Sequence, residues 1–124
     1  MLDHVSLKVA DHAAAQAFYD KALAPLGMTR LFSMENASGY GAGRPVFWIG
    51  QGDRAGDCHV ALTAPDRATV DAFYAAALAA GGRDNGSPGL RAHYHPTYYG
   101  AFVLDPDGHN IEAVCHGVGA ARPD

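Results

Sequence analysis

Cysteine, glutamate, positive charge and long apolar runs are all scarce in this chain of 124 residues. Two cysteines, Cys58 and Cys115, are too few for a disulfide framework and suit a reducing, cytoplasmic setting. Charged residues make up 18% of the chain, with a formal net charge of −4. No basic stripe is present to neutralise phosphates, which excludes a nucleic-acid partner held by electrostatics. Membrane insertion and secretion are both disfavoured, because no run is long and apolar enough to span a bilayer and no basic stretch leads into a short apolar one. Of thirteen acidic residues eleven are Asp, leaving only Glu35 and Glu112, against seven histidines. What is plentiful is core material: 48% of residues are hydrophobic, enough for one domain.

An internal repeat organises that material. Displacing the sequence by 55 positions lays His4-Val5-x-Leu7 on His59-Val60-x-Leu62 and Asp11 on Asp66. The same shift superposes Ala17-Phe18-Tyr19 on Ala72-Phe73-Tyr74, Ala22-Leu23 on Ala77-Leu78, and Gly27 on Gly82. Twelve of the twenty-four positions from His4 to Gly27 are identical. Four of these are alanines, which composition alone explains, but the His-Val-x-Leu, Phe-Tyr and Gly matches mix residue types in register.

Each copy opens on a period-2 pattern, with Val5, Leu7 and Val9 or Val60 and Leu62 on one face of a strand. Asp11 and Asp66 stand where a helix N-cap belongs, and apolar residues then recur at helical spacing. Gly27 and Gly81-Gly82 are C-terminal stops, and Pro25 ends the first helix early. Strand-like runs follow at Met28–Met34, Ser38–Gly43 and Pro45–Ile49 in the first copy. In the second they run from Arg83 to about His95, then Tyr98–Leu104 and His109–His116, with Asp105-Pro106-Asp107-Gly108 as a turn. The expected fold is α+β: two βαβββ modules, about 2–50 and 57–116, forming a cupped mixed sheet with helices on its outer face. Residues 118–124 are expected to be a flexible tail after a single domain over 1–117.

The opening Leu2-Asp3-His4-Val5, the segment Ala17-Phe18-Tyr19 and the closing Phe102-x-x-Asp105-Pro106-Asp107-Gly108-x-x-Ile111-Glu112 together resemble the vicinal oxygen chelate superfamily. That superfamily holds glyoxalases, bleomycin resistance proteins and dioxygenases. The resemblance covers almost the whole chain. It implies metal ligands at His4 and His59, on the opening strands, and at Glu112, on the closing strand of the second module. Aligning Pro45–Ile49 with His109–Ala113 puts Trp48 where the four-ligand glyoxalases carry a further Glu or Gln, so the chain departs from their pattern.

Two imidazoles and one carboxylate suit a divalent zinc, iron or manganese ion, and three protein ligands leave positions open for substrate and water. A single strand-end His carries little weight; its counterpart in the repeat is what lends His4 and His59 theirs. Trp48 is either a large residue filling a strand or a wall against which a flat substrate stacks. The run His93-Tyr94-His95-Pro96-Thr97-Tyr98-Tyr99 is either a pocket rim with a general acid or base, or an exposed aromatic subunit contact. From it, His95 is the candidate catalytic residue beside Glu112, and Tyr99 the candidate pocket residue beside Trp48. Both cysteines are expected to be buried and inert.

The resemblance implies a metal-dependent enzyme acting on a small oxygenated molecule, a glyoxalase-like lyase or isomerase, working as a homodimer. Two alternatives stand beside it: a metal-free small-molecule binding protein of the bleomycin resistance kind, and an Fe(II) dioxygenase.

Overall fold

A computed structural model of the chain describes residues 1–117. The first module runs β1 (Val5–Val9), α1 (His12–Ala22), β2 (Thr29–Ser33), β3 (Ala37–Ala42) and β4 (Arg44–Gln51). The second runs β5 (His59–Thr63), α2 (Arg67–Ala79), β6 (Arg83–Leu90), β7 (Tyr99–Leu104) and β8 (Asn110–Cys115). Each module folds its strands into one four-stranded mixed sheet, in the orders β1-β4-β3-β2 and β5-β8-β7-β6. The opening strand lies parallel to the closing one in both cases. This is the expected βαβββ duplication. The tail expected over 118–124 lies outside the described residues.

Local chemistry explains the element boundaries. The Asp11 carboxylate accepts from the Ala14 N–H at 3.1 Å, and Asp66 accepts from the Thr69 N–H at 2.8 Å, so each helix starts on a satisfied cap. Because Pro25 cannot continue α1, the chain tightens into a 3-10 turn over Ala24–Leu26, closed by Gly27 at φ +78°. Leu7 and Val9 of β1 and Ile111 and Ala113 of β8 are buried on the faces that the helices cover. Against them α1 drives Tyr19, whose ring lies 5.0 Å from that of Phe47.

Polar bonds join the two modules. The Tyr19 O–H donates to Asp105 Oδ2 at 2.5 Å, tying α1 to the β7–β8 turn. Asp105 meanwhile accepts from the backbone N–H groups of Asp107 and His109, which holds that turn. His109, fully buried, donates from Nε2 to the Lys8 carbonyl at 2.7 Å while its Nδ1 accepts from the Cys58 N–H. Gly82 lets the helices close up: a Cβ there would stand 2.8 Å from the Phe18 ring and 2.5 Å from Val103.

Two expectations need correction. The strand expected to reach His95 ends at Leu90, and residues 91–98 form turns, with the Tyr94 N–H on the Arg91 carbonyl at 2.9 Å. Cys115 is buried as expected, but Cys58 is exposed, because it precedes β5 and strand alternation does not reach it.

Candidate functional site

Glu112 is the centre of the second module's open face. On β8 it pairs in register with Ala61 of β5 and Phe102 of β7, so these three side chains share one side of the sheet. Glu112 is only 1% exposed. A buried carboxylate needs hydrogen bonds to offset its lost hydration, and both oxygens receive one. His59 places Nε2 2.9 Å from Oε1, reaching across the small Ala61 from the start of β5. The Tyr98 O–H donates to Oε2 in a short contact. Burial, then the hydrogen bond to Glu112, raises the Tyr98 phenol above its ordinary range, which keeps it a donor. Gly100 permits this approach: a Cβ there would meet the Tyr98 ring at 3.2 Å and Glu112 Oε2 at 3.4 Å.

The structure therefore brings His59 and Glu112 together. His4 stands elsewhere, just before β1, its Nδ1 2.8 Å from Asp3 Oδ1. It lines an apolar hollow of about 220 Å³ with Val5, Arg44, Val46 and the Val60–Leu62 stretch. Among the described residues no three His, Cys, Asp or Glu side chains gather closely enough to hold a metal. One chain thus presents an imidazole and a carboxylate oxygen side by side, with the second carboxylate oxygen steadied by a phenol. That is a fitting part of a divalent site, since ligating carboxylates are commonly hydrogen-bonded from outside, but it is not the whole of one.

The remaining candidates point in other directions. His95 is exposed and accepts at Nδ1 from the Thr97 N–H, 3.2 Å away. Tyr99 donates to Asp71 Oδ1 at 2.6 Å under the Arg67 guanidinium, on the helix side of β7. It is Tyr98, one residue earlier, that reaches Glu112. Strand parity held the signal: Tyr98 shares its parity with Phe102, opposite Glu112, whereas Tyr99 shares that of the core residues Ala101 and Val103. Trp48 pairs with Ser6 as Glu112 pairs with Ala61, so it occupies the equivalent place in the first module. Its ring lies over Gly39, where a Cβ would come within 2.9 Å, and 5.6 Å from the Phe32 ring.

With the paired modules and the Glu112 face in view, comparison with known proteins decides the family. The sequence model of the Glyoxalase/Bleomycin resistance protein/Dioxygenase superfamily matches residues 1–113. The chain belongs to this superfamily. A glyoxalase/bleomycin resistance protein from Albidiferax ferrireducens T118 is 29% identical and superposes with a TM-score of 0.80, over 92% of this chain and 97% of that one. A glyoxalase/bleomycin resistance protein/dioxygenase family enzyme from Burkholderia phytofirmans PsJN shares the fold at 18% identity and TM-score 0.73, covering 93% and 98%. So does a lactoylglutathione lyase from Agrobacterium tumefaciens, at 20% identity and TM-score 0.68, covering 92% of each chain. No curated protein matches the chain in sequence. Within the superfamily's two-module plan, this member carries its paired His and Glu on the second module and an aromatic pair, Phe32 and Trp48, on the first.

Proposed function

We propose that the chain is a cytosolic metal-dependent enzyme of the glyoxalase kind, a lyase or isomerase acting on a small oxygenated molecule. The observation that carries this reading is the approach of His59 Nε2 to Glu112 Oε1, at 2.9 Å, on the open face of the sheet. His59 and Glu112 would hold a zinc, iron or manganese ion, and His4 of the partner subunit would complete the set in a homodimer. When bound, such an ion supplies Lewis-acid stabilisation of negative charge on a substrate oxygen. The protein's own contribution is positional. Tyr98 fixes the orientation of the Glu112 carboxylate, and Phe102 excludes water from one flank. Glu112 is the group placed to carry a proton to or from a carbon next to a carbonyl.

Metal analysis of untagged protein tests this. The parent chain should carry about one zinc, iron or manganese ion per chain, and His59→Ala, Glu112→Gln and His4→Ala should each lose it. Mixing His4→Ala with Glu112→Gln should restore part of the metal content, because a mixed dimer contains one intact site. Metal content unchanged in all three variants would refute the assignment. A second reading, a metal-free binding protein, is favoured by the half-exposed Phe32 beside Trp48. It predicts no metal in the parent chain and binding of flat aromatic compounds that Trp48→Ala abolishes.

A further inference from the structure

Beside Glu112 the second sheet carries a hollow of about 330 Å³, lined by Gly86, Arg91, His93, Tyr94, Phe102 and Asn110 among others. It is continuous with the site, since Phe102 stands opposite Glu112 and Asn110 stands level with His59. Two of its polar groups are unspent. The Arg91 guanidinium lies 5.4 Å over the Phe102 ring and donates from Nη2 to the Ser87 carbonyl at 2.8 Å. No carboxylate pairs with it among the described residues. Two glycines make room for it: a Cβ at Gly86 would come within 3.1 Å of Nη2, and one at Gly89 within 3.2 Å of Nη1. Asn110 Oδ1 is shielded from solvent and accepts no hydrogen bond. A shielded acceptor without a donor is costly, and an unpaired guanidinium beside an aromatic floor offers planar, two-pronged recognition of an oxyanion.

We infer that this hollow binds a small organic monocarboxylic acid, an inference that rests on the Glu112 face being the substrate site. The carboxylate pairs with Arg91, a hydroxyl or N–H of the ligand donates to Asn110 Oδ1, and its body lies against Phe102 and Tyr94. One guanidinium balances one negative charge. A doubly charged phosphate is disfavoured here by the nearby Glu112 and by a chain of net charge −4. The volume suits a molecule of about ten to fifteen heavy atoms or fewer.

The test is amide-resolved NMR titration of the intact protein with benzoate, mandelate and pyruvate, against mandelamide and phenyl phosphate. At least one acid should shift the resonances of Gly86, Arg91 and Asn110, and mandelate should bind roughly tenfold more tightly than mandelamide. Arg91→Gln should erase that preference and Arg91→Lys should keep part of it. The Arg91 side chain makes a single hydrogen bond among the described residues, to the Ser87 carbonyl, and rests on the Phe102 ring, so both variants should melt near the parent. Equal affinity for acid and amide, tighter binding of phenyl phosphate, insensitivity to Arg91→Gln, or no shift with any of the acids would overturn the inference. Metal uptake that depends on His59 and Glu112 is measured separately. Acid binding without metal would therefore defeat the proposed function alone, and metal without acid binding would defeat this inference alone.

Discussion

His59 and Glu112 stand on neighbouring parallel strands, offset by one like-facing position, with Nε2 and Oε1 2.9 Å apart across Ala61. The parallel order is what allows it: β5 and β8 advance together, so a residue at the start of one can lean along the other without crossing the sheet. Tyr98 supports the arrangement by occupying the other carboxylate oxygen. Replacing Tyr98 by Phe keeps the ring and deletes the donor, leaving Oε2 buried without a partner. We expect a loss of about 1–3 kcal/mol in stability from that unmet acceptor, read by urea denaturation. Tyr98→Phe should also weaken metal retention, which a purely structural role for the phenol would leave untouched.

Two glycines matched by the repeat serve different ends. Gly27 has open space around it and is required by its φ of +78°, whereas Gly82 sits under Phe18, Val103 and the Ala77 carbonyl. Gly27→Ala should cost about 1 kcal/mol, from left-handed strain alone. Gly82→Ala should cost about 1–3 kcal/mol or more, because it wedges the modules apart. Denaturation midpoints of the two variants give the comparison, and equal losses would contradict it.

Tyr19 gives the fold a dependence on alkaline pH. Burial, then the negative charge of Asp105, holds its phenol well above the ordinary tyrosine value of about 10. The folded state therefore keeps this proton after the unfolded chain has released it. Its stabilisation is complete below pH 10 and is lost as pH rises beyond that. Thermal melts should show stability falling above about pH 10, and Tyr19→Phe should flatten that decline. At neutral pH the same variant should be less stable by about 1–3 kcal/mol, since Asp105 Oδ2 loses its donor.

Crowding under Trp48 offers a check on the first module. Alanine at Gly39 would put Cβ 2.9 Å from the indole ring. Gly39→Ala should therefore displace Trp48 and change its fluorescence, and because this is the chain's one tryptophan the signal is unambiguous. Since Trp48 is only partly buried, the stability cost should stay within about 1–3 kcal/mol. An unchanged spectrum would mean that the indole does not rest on Gly39.

The sequence by itself determined the two βαβββ modules, their helix caps at Asp11 and Asp66, the stop at Pro25 and the turn at Asp105–Gly108. All are matters of periodicity, capping and backbone freedom within a few residues of the chain. It also determined that Trp48 and Glu112 are equivalent positions, because the repeat carries register with it. Strand parity sets Tyr98 apart from Tyr99, but tertiary structure decided that Tyr98 meets Glu112. Tyr98 rather than Tyr99 or His95 reaches it, because β6 ends at Leu90 and the turns over 91–98 hand Tyr98 to the open face. That His4 does not join His59 and Glu112 in one cluster was equally invisible in the sequence. The repeat makes the two histidines alike, but equivalent places in two modules are not adjacent places in space, and distance depends on how the modules pack.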